Sequence, residues 1–329
     1  MNVFCDFHHG GLYYSMHLLW EKRLGMNLYT MRGKEWYDQG YWKIYDNPGT
    51  VAQYLEFPDE AMHTMKAFPQ GKNVFEIKML RLEEFKAMKF DYIVASIGAH
   101  EAPFVKLRNS YQPQAKLIRQ MGNIGDHSHG VIPNIMNSTS NIVPQQLNQV
   151  RWREEFDLKD FHYSPPGNEN VVTSFLHDMH SWPFYKEWLA IQAKLTPQGF
   201  KFYEKGIVNR DGCCAEEDLS DMMRASKFVY HVKGPGDGFG HNVHHALACG
   251  RPLIINYKTY KTMIAGELLE PDVTCIDFDS VENVSRKILE YSEPKRHKEM
   301  CEAVFKRFKK VVDFDKEEQD VRKFLERCK

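Results

Sequence analysis

Short apolar runs, rich in β-branched and aromatic residues, alternate with stretches of helical period along the whole chain, the pattern of parallel sheets covered by helices. In the first half this pattern predicts strands over 2–7, 91–97 and 115–121 and a helix over 12–24, with glycines or a loop just past each strand. In the second half it predicts strands over 171–175, 200–203, 228–232, 252–256 and 273–278. Helices are expected there over 182–195, 216–225, 280–291 and 294–311. Met300, Val304, Phe308 and Val311 share one face of the last of these, so it packs against something, and Lys306, Arg307, Lys309 and Lys310 read as its solvated side. The fold class is therefore α/β. No fixed-period repeat or low-complexity tract interrupts it.

The stretch Tyr163 to Asn170, YSPPGNEN, combines two prolines and a glycine with polar residues and reads as an exposed connection. It divides the chain into a domain over 1–163 and a second over 164–305, followed by a helical tail over 306–329 expected to pack back on the first. The 329 residues are too many for one ordinary core of about 100–200 residues, which also points to two units. Apolar residues at 43% against 26% charged exclude a disordered or coiled-coil chain. With 43 Lys plus Arg against 44 Asp plus Glu, the net charge is -1, so no global field draws in nucleic acid or an anionic membrane. Any polyanion must be met by a local patch. No apolar run approaches the roughly 20 residues of a membrane span, and Met1 to Asp6 lacks a basic then apolar leader. A cytoplasmic location is expected. The seven cysteines, with Cys213 and Cys214 adjacent, have neither CxxC spacing nor a matching second pair, so reduced thiols are expected rather than disulfides or a zinc site.

Candidate chemistry concentrates in Lys233 to Gly250, KGPGDGFGHNVHHALACG, where a strand ends in a glycine-rich loop that opens a helix at about His241. Gly234, Gly236, Gly238 and Gly240 allow close backbone approach, and the free amides and positive dipole end of the following helix stabilise an anion. Glycines needed only for a tight turn and helix packing are the plainer alternative. A nicotinamide cofactor fits worse, because the GxGxxG order is not met and the next strand ends in Asn256 rather than an acid. A Walker loop is excluded, since no Gly, Lys, Ser/Thr series follows.

The order of segments here resembles that of GT-B fold glycosyltransferases, especially the retaining group called family 4 or group 1. An acidic helix (EEDLSDMMRAS), a strand (KFVYHV), a Gly-rich loop, a helix (HALACG) and a strand (RPLII) follow one another as in that family's second domain. The resemblance implies two Rossmann-like domains facing each other across a cleft, with the nucleotide-sugar donor held mainly by the second and the acceptor by the first. It implies a retaining, metal-independent glycosyl transfer with no cofactor beyond the nucleotide-sugar co-substrate. Asp237, Gly238, Phe239 and Gly240 match the family's acid, Gly, aromatic, Gly order, while His245 stands where a second acid holds the ribose. Lys233, Gly234, Gly236, Asp237, Gly238, Phe239, Gly240, His241, Asn242 and His245 are the implied donor-binding set. The family's Arg and Lys for the diphosphate are missing from SFLHDMHSWPFYKEW, where His177, His180 and Lys186 are the only cationic candidates, so Lys233 or Arg251 is expected to supply the charge.

In the first domain His8, His9, Gly10 and Gly11 follow the opening strand and resemble the family's glycine loop at the diphosphate, which adds Gly10 and Gly11 to the donor contacts. His100, just past DYIVASI, matches a histidine near the donor sugar, with Glu101 beside it to orient it. An inverting course would instead need a base, for which His8, His9 and His100 are the candidates. Fifteen histidines raise a zinc alternative, with His241 and His245 four apart and His8, His9, His177 and His180 as further ligands. There is no HExxH arrangement, and anion binding accounts for the same residues, so no metal is expected. Trp36, Tyr37, Tyr41, Trp42 and Tyr45 read as packing of a small domain or, alternatively, as a stacking surface for sugars or bases. Other readings stay open: a DNA-modifying glycosyltransferase using Arg151, Arg153 and Lys306 to Lys310, a nucleotide-sugar epimerase of the same fold, or a non-catalytic sugar-nucleotide-binding protein.

Overall fold

The computed structural model describes residues 1–6, 10–33, 35–41, 64–67, 72–73, 75–123, 126, 130–140, 143–234 and 236–328. The chain divides into two compact units, one made of 1–69, 73–156 and 314–329, the other of 70–72 and 157–313. The change-over thus lies at Phe156/Asp157, ahead of the YSPPGNEN connection, and the returning segment starts at Phe314 rather than at residue 306.

The first unit holds strands β1 (Asn2–Cys5), β2 (Asn27–Met31), β3 (Thr64–Ala67), β4 (Phe75–Leu80), β5 (Tyr92–Ala95), β6 (Lys116–Met121), β7 (Asn134–Asn137) and β8 (Asn148–Arg151). They form one sheet in the order β3-β4-β2-β1-β5-β6-β7-β8, parallel except for the antiparallel edge strand β3. Side chains alternate between its faces, and the inner strands β1 and β5, covered on both faces, read as nearly continuous apolar runs. Val3 and Cys5 join a core with Leu12, Trp20, Val94, Ile118 and Met136, whereas Phe4 between them joins Trp36, Phe85, Ile93 and Phe104 on the other side. Trp36 is fully buried, stacked on Phe4 at 5.1 Å with its indole N–H donated to the Leu80 carbonyl, and Tyr41 packs in the same cluster. Those two aromatics are core residues, Tyr37 is exposed, and Trp42 and Tyr45 lie outside the described residues.

The second unit holds β9 (Val171–Ser174), β10 (Lys201–Glu204), β11 (Phe228–His231), β12 (Leu253–Ile255) and β13 (Cys275–Asp277) in the all-parallel order β10-β9-β11-β12-β13. In each sheet the chain first winds outward and then returns beside its starting strand, between β1 and β5 in one unit and between β9 and β11 in the other. Strand connections diverge at such a switch point, which leaves a crevice past the carboxyl ends of the two strands.

The helix expected over 12–24 begins earlier, at Gly10–His17, and continues as a π-helical turn over Leu18–Arg23. The expected Pro294–Val311 helix is present in full, with Met300, Val304 and Phe308 buried. On it, His297 is buried with Nε2 2.9 Å from the Lys227 carbonyl oxygen, and burial depresses its pKa to about 4. The terminal helix Phe314–Glu326 lies within the first unit, burying Val321, Phe324 and Leu325 in the cluster of Val3 and Trp20. Glu317 clamps it there, with one carboxylate oxygen 2.5 Å from Arg153 Nη1 and the other accepting the Arg153 amide at 2.6 Å.

Two outcomes follow from this packing. Phe324→Ala leaves a cavity where the terminal helix meets the core and is expected to cost about 3–5 kcal/mol, read as an earlier urea transition; an unchanged midpoint would show that the helix is not part of this core. The folded His297 has a lower pKa than the unfolded side chain at ~6.5, so unfolding takes up a proton between the two values. Stability therefore falls by roughly 3 kcal/mol through this group as pH drops from ~6.5 to ~4, and His297→Gln flattens that part of the urea-stability profile.

Candidate functional site

The glycine-rich loop leaves the carboxyl end of β11 at the second unit's switch point and enters the helix His241–Ala248 through Gly240. Gly236 and Gly240 have φ of +79° and +81°, which L side chains rarely adopt, and a Cβ on Gly236 would also collide with Met263. Both glycines are therefore dictated by the loop's own path. Gly238 and Gly240 stay partly exposed, and the amides of Gly238, Phe239 and Gly240 donate to no acceptor among the described residues. Phe239 anchors the loop from below, 98% buried with its ring stacked 4.0 Å from that of His244.

Asp237 is turned inward. Its Oδ2 lies 2.5 Å from His231 Nε2 and accepts the Tyr260 hydroxyl at 2.6 Å, while its Oδ1 accepts Lys233 Nζ at 2.5 Å. Burial alone would raise this carboxyl, but the charges and hydrogen bonds of His231 and Lys233 outweigh it and hold the group well below the usual carboxylate range. Tyr260 is pushed well above its ordinary value by burial and by the Asp237 charge, so it remains a donor at neutral pH. The Lys233 ammonium also lies 4.8 Å from the ring centre of Trp182, in the segment that follows β9. That contact spans the switch point from β11 to β9.

Other residues expected at the donor are placed differently. His245 is fully buried, stacked 3.9 Å from Phe161, and burial with His241 and His244 nearby keeps it neutral, so the ring is a packing element rather than a ribose contact. Asn242 donates its side-chain amide to the Phe175 carbonyl at 3.0 Å, and His241 is half-buried at the helix start. Gly234 follows Lys233 at the strand end. Arg251 is no substitute cation for the diphosphate: it is fully buried and donates to the carbonyls of Arg224 and Ser164. His177 accepts the Ile207 amide at 2.9 Å, and His180 pairs with Asp178 at 3.1 Å. Among the described residues no group of three or more His, Cys, Asp or Glu is arranged to hold a metal ion.

The first unit carries a second polar cluster at its own switch point. Asp6 follows β1; one of its carboxylate oxygens accepts the Ser96 amide at 2.6 Å past β5 and the other meets His100 Nδ1. His100 is fully buried and stacked on Phe104 at 5.5 Å. Glu101 does not orient it. Instead Glu101 accepts Arg119 Nε at 3.0 Å, and Arg119, itself fully buried in β6, also pairs with Asp126 at 2.9 Å. Gly10 and Gly11 are not an extended loop but the first residues of the Gly10–His17 helix; His8 and His9 lie outside the described residues. Sequence reasoning missed Asp6, Arg119, His231, Tyr260 and Trp182. For Asp6 and His231 a signal existed, a charged or titratable residue at the carboxyl end of a strand; Tyr260 and Trp182 are brought in by tertiary packing alone.

No family model matches the chain, and no curated protein does either. Solved structures do. HepE from Anabaena, in complex with UDP and glucose, is 12% identical over 100% of both chains at a TM-score of 0.66. Sucrose-phosphate synthase from Thermosynechococcus elongatus is 10% identical over 99% of this chain and 98% of its own, at 0.68. An α-glucosyltransferase in complex with UDP and a 13-mer DNA containing an HMU base is 10% identical over 99% of this chain and 100% of its own, at 0.64. At such identities the likeness is one of fold. The chain has the fold of the GT-B glycosyltransferases.

Proposed function

We propose that the chain is a glycosyltransferase that holds the diphosphate of a nucleotide-sugar donor on the loop past β11 and moves the sugar to an acceptor hydroxyl, without a metal ion and with retention of anomeric configuration. The observation that carries this reading is the run of amides from Gly238 to Gly240, which donate to no acceptor among the described residues, at the head of the His241–Ala248 helix and beside the Lys233 ammonium. Charge that grows on a departing diphosphate meets donors, a helix dipole and a cation already in place. Proteins of this fold hold UDP and glucose in HepE and UDP in the α-glucosyltransferase. His100 is fully buried between Asp6 and Phe104 at the first unit's switch point and Glu101 supports Arg119, so neither is proposed to touch the donor. The acids nearest the two strand-end sites, Asp6 and Asp237, are engaged by internal donors, which favours a course with no carboxylate nucleophile.

A DNA acceptor is a second reading, favoured by the DNA held in one structure of the same fold. Of the cations considered for it, Arg153 is bound to Glu317 and Arg307 donates to the Glu267 carbonyl, whereas Lys306, Lys309 and Lys310 are exposed.

Incubation with UDP-glucose, GDP-mannose or ADP-glucose is expected to release nucleoside diphosphate from one of them, with undiminished rate in EDTA and an unchanged anomeric configuration in the proton NMR of the product. Tight binding without release would mark a binding protein, and release of an altered free sugar an epimerase; either overturns transfer. Acceleration by a duplex containing an HMU base, and not by a sugar acceptor, selects the second reading.

A further inference from the structure

Lys233 is held from two sides by different elements. Asp237, in the loop past β11, accepts one of its protons at 2.5 Å, and the face of Trp182, just past the 3-10 turn Met179–Ser181 behind β9, lies 4.8 Å from its nitrogen. Trp182 is itself fixed, its indole N–H donated to the His177 carbonyl at 3.0 Å. An ammonium has three N–H donors; the carboxylate takes one, and an aromatic face attracts the charge without offering a lone pair. Among the described residues two donors are thus left for a third partner at the place where the strand order reverses. Asp237 is in the opposite position. Lys233, His231 and Tyr260 take three of the roughly four acceptor positions on its two oxygens, and its side chain is 13% exposed, so it has little left to give a sugar hydroxyl.

Resting on the glycosyltransferase reading above, we propose that Asp237 is a positioning residue that never touches the donor, and that with Trp182 it aims the Lys233 ammonium at the distal phosphate of the nucleoside diphosphate. The site therefore distinguishes nucleoside diphosphates from monophosphates through one side chain that is built into the glycine-rich loop itself. Trp182 contributes orientation by its ring face, and Asp237 by its charge as well as its reach. The His231 and Tyr260 contacts keep the carboxylate from swinging outward, where it would repel the anion.

Calorimetric titration of UDP, GDP and ADP and of their monophosphates into the full chain tests this. The wild type is expected to prefer one diphosphate over its monophosphate. Lys233→Met should lose roughly ten- to hundredfold in diphosphate affinity, the range for a hydrogen bond to a charged group, with monophosphate affinity nearly unchanged and partial rescue in Lys233→Arg. Trp182→Leu, at a partly exposed ring, leaves the fold intact and should lose part of the same preference. Asp237→Asn should lose it too, while Asp237→Ala also melts at lower temperature because Lys233, His231 and Tyr260 lose a shared partner. Wild-type preference in Lys233→Met, or equal loss of mono- and diphosphate in a folded Asp237→Asn, overturns the assignment alone. Failure of the wild type to bind any of the six nucleotides overturns the broader reading with it.

Discussion

The second unit's loop depends on a carboxylate that must be neutralised where it stands. Asp237 sits in the bend between β11 and the His241–Ala248 helix with little access to water, and an unpaired charge there would be costly. Three donors from three segments answer it: Lys233 from the start of the loop, His231 from the strand end and Tyr260 from beyond β12. His231 and Tyr260 stand on segments outside the loop, so they hold Asp237 in place beside the end of β11. Gly236 and Gly240 on either side take positive φ, and the amides between them donate to no acceptor among the described residues.

The first unit solves a similar problem with different residues. Asp6 links the ends of β1 and β5 through the Ser96 amide and His100, and Arg119 draws Glu101 and Asp126 together beside it. Asp237 ties the end of β11 to the segment past β12, whereas Asp6 ties together the two strands that diverge at their switch point. Such a network is satisfied only when both strands are in register, so the polar contacts specify the sheet order as much as the apolar faces do.

The α/β class and the strand, glycine loop, helix order were legible because the inner strands are covered on both faces and carry runs of β-branched and aromatic residues, as in Val171–Ser174 and Phe228–His231. Strands such as Asn27–Met31 and Asn148–Arg151 went unread because they carry polar residues within the run, and Asn148–Arg151 is an edge strand that buries one face. At the candidate site the letters pointed to the right loop but not to the direction of its side chains. Nothing in Asp237 or His245 as residues says that one is satisfied from inside and the other lies under Phe161; both facts come from Tyr260, His231 and Phe161, which only the fold brings near.

The helix Phe314–Glu326 belongs to the unit that the first strand begins. On a ribosome, residues 1–156 emerge long before the segment that buries Val321, Phe324 and Leu325 against Val3 and Trp20. Until that segment has emerged, the apolar surface lacks its intramolecular cover and is open to chaperones or to neighbouring nascent chains. The second unit, contiguous from 157 to 313 apart from residues 70–72, carries no such delay, so its assembly precedes completion of the unit encoded ahead of it.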